Sequence, residues 1–77
     1  MVNYALHIEV NPKIMMGKPV IKGTRITVEL IIEKLAAGES VEAILNDYAG
    51  IDRNDIFAAL QFAANNLKSD HIYPIAS

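Results

Sequence analysis

"GKPVIKGTRITV", residues 17–28, is the stretch that decides the fold, because it joins a predicted β-hairpin to the first helical pattern of the chain. It holds two of the four glycines, one of the three prolines and three of the seven basic residues. Gly23 lies between "PVI" and "RITV", where a tight turn requires a residue with positive φ. The stretch therefore predicts a hairpin whose turn carries positive charge.

The segment before the hairpin, "YALHIEV" at residues 4–10, alternates between apolar and other side chains. Leu6, Ile8 and Val10 share one face, which is the period of a strand with one buried side. The Asn-Pro pair that follows is expected to end this strand. His7 stands between two apolar residues, so we interpret it as an exposed histidine on the opposite face.

Three helical patterns follow the hairpin, each preceded by a residue that can cap a helix. The predicted caps are Thr27, Ser40 and Asp52, and Gly38 stands where the first helix should end. Apolar residues recur three and four positions apart in each pattern. The third helix is predicted to turn these residues inward: Ile56, Ala59, Leu60, Ala63 and Leu67.

These elements predict a single α+β domain that is mainly α-helical. A strand and β-hairpin occupy residues 1–26, a three-helix core occupies residues 27–67, and residues 68–77 form a tail. The short connection between the second and third helices favours a homeodomain-like helix-turn-helix.

The residue inventory argues against catalysis and against a membrane. The chain has no cysteine and only two histidines, which lie in separate terminal segments, and no phosphate-binding loop or metal-binding motif is present. We therefore expect no enzyme activity, no cofactor and no metal. No apolar run approaches the roughly 20 residues that span a bilayer, and no secretory leader is recognisable. The expected location is the cytoplasm.

Charge is distributed unevenly along the chain, which has a net charge of −2. Residues 1–25 contain four basic residues and one acid, whereas residues 26–67 contain seven acids and two basic residues. Such a bipolar molecule either meets an anion with its basic end or pairs with copies of itself.

Nucleic acid is one candidate partner of the basic end. The candidate contact residues are Lys18, Lys22 and Arg25 near the turn, and Arg53 and Asn54 at the start of the third helix. For Arg25 an ion pair with Asp47 or Glu42 is an equally open alternative. Two aspartates at the start of the third helix argue against tight DNA binding.

Another protein chain is the second candidate partner, because the third helix is apolar around much of its circumference. The candidate interface residues are Phe57, Ala58 and Phe62 on this helix, with Leu6 and Ile8 on the N-terminal strand. We expect a homo-oligomer, a dimer or larger. The alternative for Phe62 is that it packs under the apolar tail "HIYPI" of the same chain.

Three pieces of the sequence resemble a known family: "GKPVIKGTRITVELIIEKLAAGES", "AILNDYAGI" and "DIFAALQFAA". They are similar to the small bacterial proteins of domain of unknown function 433, over about residues 8–64. Ala49 stands where the family usually has a proline, and Ile51-Asp52 where it has a Leu-Thr type helix start. The resemblance implies a homeodomain-like helix-turn-helix and an antitoxin-like role beside a PIN-like ribonuclease toxin, with possible binding to operator DNA. The alternative function is a stand-alone DNA-binding regulator without a toxin partner.

Overall fold

The computed structural model describes residues 3–69, and confirms an α+β fold that is mainly helical. Two short strands, β1 (Ile8–Glu9) and β2 (Val20–Ile21), precede three helices. The helices are α1 (Val28–Ala36), α2 (Val41–Asp47) and α3 (Arg53–Ser69). The predicted tail is therefore corrected at its start, since residues 68 and 69 belong to α3, and its remainder lies outside the described residues.

The N-terminal strand is much shorter than predicted. Residues 4–6 form a 3-10 turn, in which the Asn3 side chain accepts a hydrogen bond from the Ala5 amide at 3.1 Å. β1 pairs antiparallel with β2 through two residue pairs, and Leu6 and Val10 on either side are 68% and 58% exposed. The prediction that these two side chains share the buried face of Ile8 is wrong, because alternation places side chains on one face only where the backbone is extended.

The predicted turn at Gly23 is confirmed, but the predicted hairpin is only partly formed. Its first arm contains the short strand β2, and its second arm forms no strand. Gly23 has φ +82, and the Thr24 amide donates to the Ile21 carbonyl at 2.9 Å. The second arm contributes one isolated bridge, between Val20 and Thr27. Strand pairing stops at Thr27 because this residue caps α1: its hydroxyl accepts a hydrogen bond from the Leu30 amide at 3.0 Å.

The predicted caps of α2 and α3 are also confirmed. The Ser40 hydroxyl accepts a hydrogen bond from the Ala43 amide at 3.0 Å. At the start of α3, the Asp55 amide donates to the Asp52 carboxylate and the Asp52 amide donates to the Asp55 carboxylate, both at 3.0 Å. Two backbone donors that the helix itself leaves unpaired are satisfied by this reciprocal arrangement.

The core lies between α3, the two other helices and the small sheet. Its fully buried large side chains are Val20, Ile21, Ile31, Ile44 and Ile56. Ala58 and Ala59 of α3 are also completely buried, and Phe62 contacts the Tyr4 ring edge-to-face at 5.7 Å. The small alanine side chains let neighbouring elements approach the α3 backbone closely.

The inward face of α3 is rotated relative to the prediction. Leu60 and Leu67, which were predicted to point inward, are 41% and 56% exposed. The N-terminal turn packs against the side of the helix that bears Phe62, a contact that the helical period does not specify.

Candidate functional site

The basic residues around the Gly23 turn are all exposed but differ in their partners. The Lys18 ammonium lies 3.0 Å from the Glu29 carboxylate, and both side chains are more than half exposed. The Lys22 amide donates to the His7 carbonyl at 2.7 Å, which fixes its backbone while its side chain is in solvent. Lys22 has no ion pair within residues 3–69 and is therefore the more available cation of the two.

Arg25 lies at an open pocket of about 500 Å³ that is also lined by Ile14, Gly23 and Thr24. The ion pair with Glu42 or Asp47 that was an alternative for Arg25 is absent from the described part of the chain. The Glu42 carboxylate is instead bound by Arg53. Phosphate contact by Arg25 stays a prediction. Neither Glu42 nor Asp47 forms an ion pair with the Arg25 guanidinium within residues 3–69, so no such pair competes with a phosphate there.

The start of α3 offers less free positive charge than its sequence indicates. The Arg53 guanidinium donates to the Glu42 carboxylate, and this hydrogen bond, with a smaller backbone contribution, holds the pKa of Glu42 below its ordinary value. Asn54 is exposed beside it. Two residues were predicted to contact bases here. The charge of Arg53 is paired with Glu42 of α2, whereas the Asn54 side chain is exposed and free to contact a partner.

A hydrogen bond between His7 and Asp55 was missed by sequence reasoning. His7 Nδ1 lies 2.8 Å from Asp55 Oδ1, and the two side chains are 26% and 15% exposed. The other carboxylate oxygen of Asp55 accepts the Asp52 amide of the α3 cap. The interpretation of His7 as a solvent-facing strand residue is therefore wrong, and no local pattern indicates a contact between residues 48 positions apart.

Exposed apolar side chains form a continuous row along α3. We call Phe57, Leu60, Ala64 and Leu67 the α3 ridge; they are spaced three, four and three residues apart, and each is exposed. This spacing keeps them on one side of a helix. The ridge is opposite to the face that carries Ala59 and Phe62 into the core.

The residues predicted as a partner interface are only partly available to a partner. Phe57 is 42% and Leu6 68% exposed, so both are accessible. Ala58 is completely buried and Ile8 is 8% exposed, because both pack in the core of their own chain, and their assignment to an interface is corrected. Phe62 is half-buried and packs edge-to-face against Tyr4, and the tail that was its alternative partner lies outside the described residues.

A second apolar surface lies between α1 and α3. This α1–α3 groove has a volume of about 480 Å³ and is open to solvent. Its apolar lining is supplied by Pro19, Val28, Ile32, Phe62, Ala63 and Leu67. Glu29 and Glu33 add two carboxylates to its lining, and no basic residue lines it.

Residues 8–63 match the family described as protein of unknown function (DUF433). The chain belongs to this family. The match runs from β1 through the middle of α3, so it includes the Gly23 turn, Phe57 and Leu60. Ala64 and Leu67, the last residues of the α3 ridge, lie beyond it.

Two individual proteins are similar to this DUF433 chain. "Uncharacterized protein y4eO" of Sinorhizobium fredii (strain NBRC 101917 / NGR234) is 38% identical over 56 residues, which are 73% of this chain. The aligned part spans 25% of that relative's length. A DUF433 member protein from Anabaena variabilis ATCC 29413, known from a crystal structure, has a TM-score of 0.77 and 25% sequence identity. That match covers 87% of this chain and 70% of the other.

Neither a cluster of metal ligands nor a bilayer-spanning helix is found among residues 3–69 of this DUF433 protein. Within that range no three histidine, aspartate or glutamate side chains are grouped closely enough to hold a metal ion. None of the helices there combines the length and the apolar character that crossing a bilayer requires.

Proposed function

We propose that this DUF433 protein is an antitoxin-like protein that binds and neutralises a PIN-like ribonuclease toxin through the α3 ridge. The observation that supports this proposal is the ridge itself. Phe57, Leu60 and Leu67 are each at least two-fifths exposed. A contiguous apolar row on a small domain is typical of a surface that another protein covers.

The ridge suits a partner with an apolar groove or a second helix. Anchors at positions i, i+3, i+7 and i+10 are how an amphipathic helix is recognised in a hydrophobic groove. Aromatic anchors contribute most to such contacts, so Phe57 should dominate the binding free energy. The class of toxin in this proposal comes from the family resemblance. The assignment of the α3 ridge as the binding surface comes from the exposure of its apolar side chains.

A binding and inhibition experiment tests the toxin proposal. A PIN-like protein encoded beside the gene would be purified, and its ribonuclease activity measured with increasing amounts of this chain. We expect wild type to inhibit the nuclease, and Phe57→Asp together with Leu60→Asp to weaken binding by about thirtyfold or more. Both substitutions change exposed positions, so the helical circular dichroism should be retained.

Leu6 provides the matched control, because it is exposed and apolar but lies outside the ridge. Leu6→Asp should inhibit as well as wild type. Equal inhibition by the folded Phe57 and Leu60 variant would contradict the proposal. Loss of inhibition with Leu6→Asp alone would move the binding surface to the N-terminal turn.

DNA binding is the second candidate function, and the unpaired state of Arg25 within residues 3–69 favours it. Arg25 and the exposed Lys22 offer two cations to phosphates, whereas Arg53 is already paired with Glu42. An apolar α3 ridge is poorly suited to the polar major groove of DNA. We therefore rank operator binding, alone or in a toxin complex, below protein binding.

A salt titration with operator DNA distinguishes the two candidates. Each phosphate contact contributes a slope of about −0.9 to the dependence of log affinity on log salt concentration. Lys22→Ala with Arg25→Ala should flatten that slope without affecting nuclease inhibition. Binding that is insensitive to salt, or absent with and without the toxin, would exclude the DNA function.

A further inference from the structure

The segment before β2 holds a strained and exposed pair of methionines. Met15, Met16 and Gly17 have φ of 50, 58 and 83, so three consecutive residues lie in the left-handed region and two of them carry side chains. We call these three residues the methionine turn. A non-glycine residue in this region is conformationally strained and persists where its surroundings enforce it.

Hydrogen bonds on both sides enforce this conformation. The Gly17 amide donates to the Ile14 carbonyl at 3.0 Å, and the Lys18 amide donates to the Met15 carbonyl at 3.1 Å. The Asn11 side chain accepts from the Lys13 amide at 2.9 Å. The result is an apolar Met16 side chain that is 94% exposed, although methionine normally fills apolar gaps.

The sequence around the methionine turn is basic, although one of its lysines, Lys18, is paired with Glu29 of α1. Residues 10–28 contain four basic residues and no acid, and Lys13 and Lys18 flank the turn. The α1–α3 groove has the opposite character, since its polar lining consists of the carboxylates of Glu29 and Glu33 and the uncharged amide of Asn66. Glu33 has no ion pair within residues 3–69. An apolar projection with basic flanks thus matches an apolar groove with acidic lining on the same chain.

The turn and the groove lie on one continuous surface. Pro19, two residues after the methionine turn, lines the groove, and the Lys18 ammonium reaches Glu29 at its edge. Met16 is nevertheless almost fully exposed, so it does not fill the groove of its own chain. A two-fold interface needs both complementary surfaces close together on each copy, which is the arrangement found here.

We propose that two copies of the chain form a two-fold dimer, in which the methionine turn of each copy occupies the α1–α3 groove of the other. Lys13 of one copy then approaches the Glu33 side of its partner's groove. The α3 ridge is left outside this contact except at its last residue, Leu67, so the dimer and the toxin complex depend on different anchors.

The oligomeric state of the full chain, measured by analytical ultracentrifugation at micromolar concentrations, tests the dimer. Wild type should have twice the 8.5 kDa mass of one chain. Met16→Asn should raise the dimer dissociation constant about tenfold or more, because asparagine tolerates the left-handed backbone but removes the apolar side chain. Phe57→Asn is the matched control, since it removes an exposed apolar residue of the ridge and should leave the mass at two chains.

A charge exchange separates a specific contact from a general loss of folding. Glu33→Lys should weaken the dimer by placing like charges at the groove, and Lys13→Glu in the same chain should restore it. A wild-type mass of one chain at every concentration would overturn the proposal. So would a dimer that survives Met16→Asn, or a Glu33→Lys defect that Lys13→Glu does not repair.

Discussion

The helical part of the chain and its N-terminal part are held together in different ways. From residue 27 onward, each helix begins at a side-chain cap and buries apolar residues at a regular spacing. Residues 3–26 contain two strands of two residues each, and are held by isolated backbone contacts such as Val28 to Pro19 at 2.9 Å. Repeated local interactions specify the first region, and individual contacts with distant residues specify the second.

The largest expected effect is on the core of the helical part. Ile56 is completely buried, so Ile56→Ala should lower the free energy of unfolding by about 2–5 kcal/mol through lost burial and an unfilled cavity. Urea denaturation followed by circular dichroism measures the change. Leu60→Ala, four residues along but on the exposed ridge, should cost under about 1 kcal/mol. Equal losses would show that the two faces of α3 are assigned wrongly.

An intermediate effect is expected at the turn of the N-terminal part. Gly23 has φ +82 and no atom within 4 Å of where a Cβ would lie, so a side chain there is penalised by backbone conformation alone. Gly23→Val should lower the free energy of unfolding by about 1–3 kcal/mol. Gly50, which lies outside the left-handed region, is the control, and Gly50→Ala should stay within about 0.5 kcal/mol. Matching melting temperatures for the two variants would refute the turn assignment.

The smallest effect is expected at the surface pair between α2 and α3. The Arg53 guanidinium lowers the pKa of Glu42 in the folded chain, so this pair stabilises the fold above the unfolded pKa and loses its effect as pH falls through the folded pKa. Glu42→Gln should lower the melting temperature slightly at pH 7 and leave it unchanged in strong acid. Asp47→Asn, an exposed carboxylate nearby, is the control at both pH values. A difference between Glu42→Gln and wild type that persists in strong acid would contradict the assigned ion pair.

Most of the helical architecture was predictable because its determinants are local. Thr27, Ser40 and Asp52 each bond to an amide three residues later, and Gly38 ends α1 with φ +94. The rotation of α3 was not predictable, since apolar periodicity fits both Leu60 and Ala58 as core residues. Tertiary packing determines which of the two is buried. Ala58 is buried and Leu60 is exposed, because the smaller side chain fits where neighbouring elements approach α3 closely.

The sequence predicted which basic residues of the candidate site are exposed, but not which carboxylates they pair with. The sequence identifies Lys18, Lys22 and Arg25 as exposed cations, and all three are exposed. It does not identify the carboxylates that pair with the basic residues, because Lys18 pairs with Glu29 and Arg53 pairs with Glu42, and each pair is eleven positions apart in the sequence. The left-handed Met15 and Met16 have no sequence signature, since methionine is not a residue that favours that conformation.

Asp55 links the two parts of the molecule through its two carboxylate oxygens, and this has a consequence for the order of folding. Its bond to the Asp52 amide closes a turn of three residues, whereas its bond to His7 closes a loop of 48 residues. The entropy lost on closing a loop increases with its length, so the local bond forms at little cost and the distant one waits for the helices to assemble. We therefore expect the N-terminal segment to dock after the helices and to detach before them, with Asp55 first capping α3 and then binding His7.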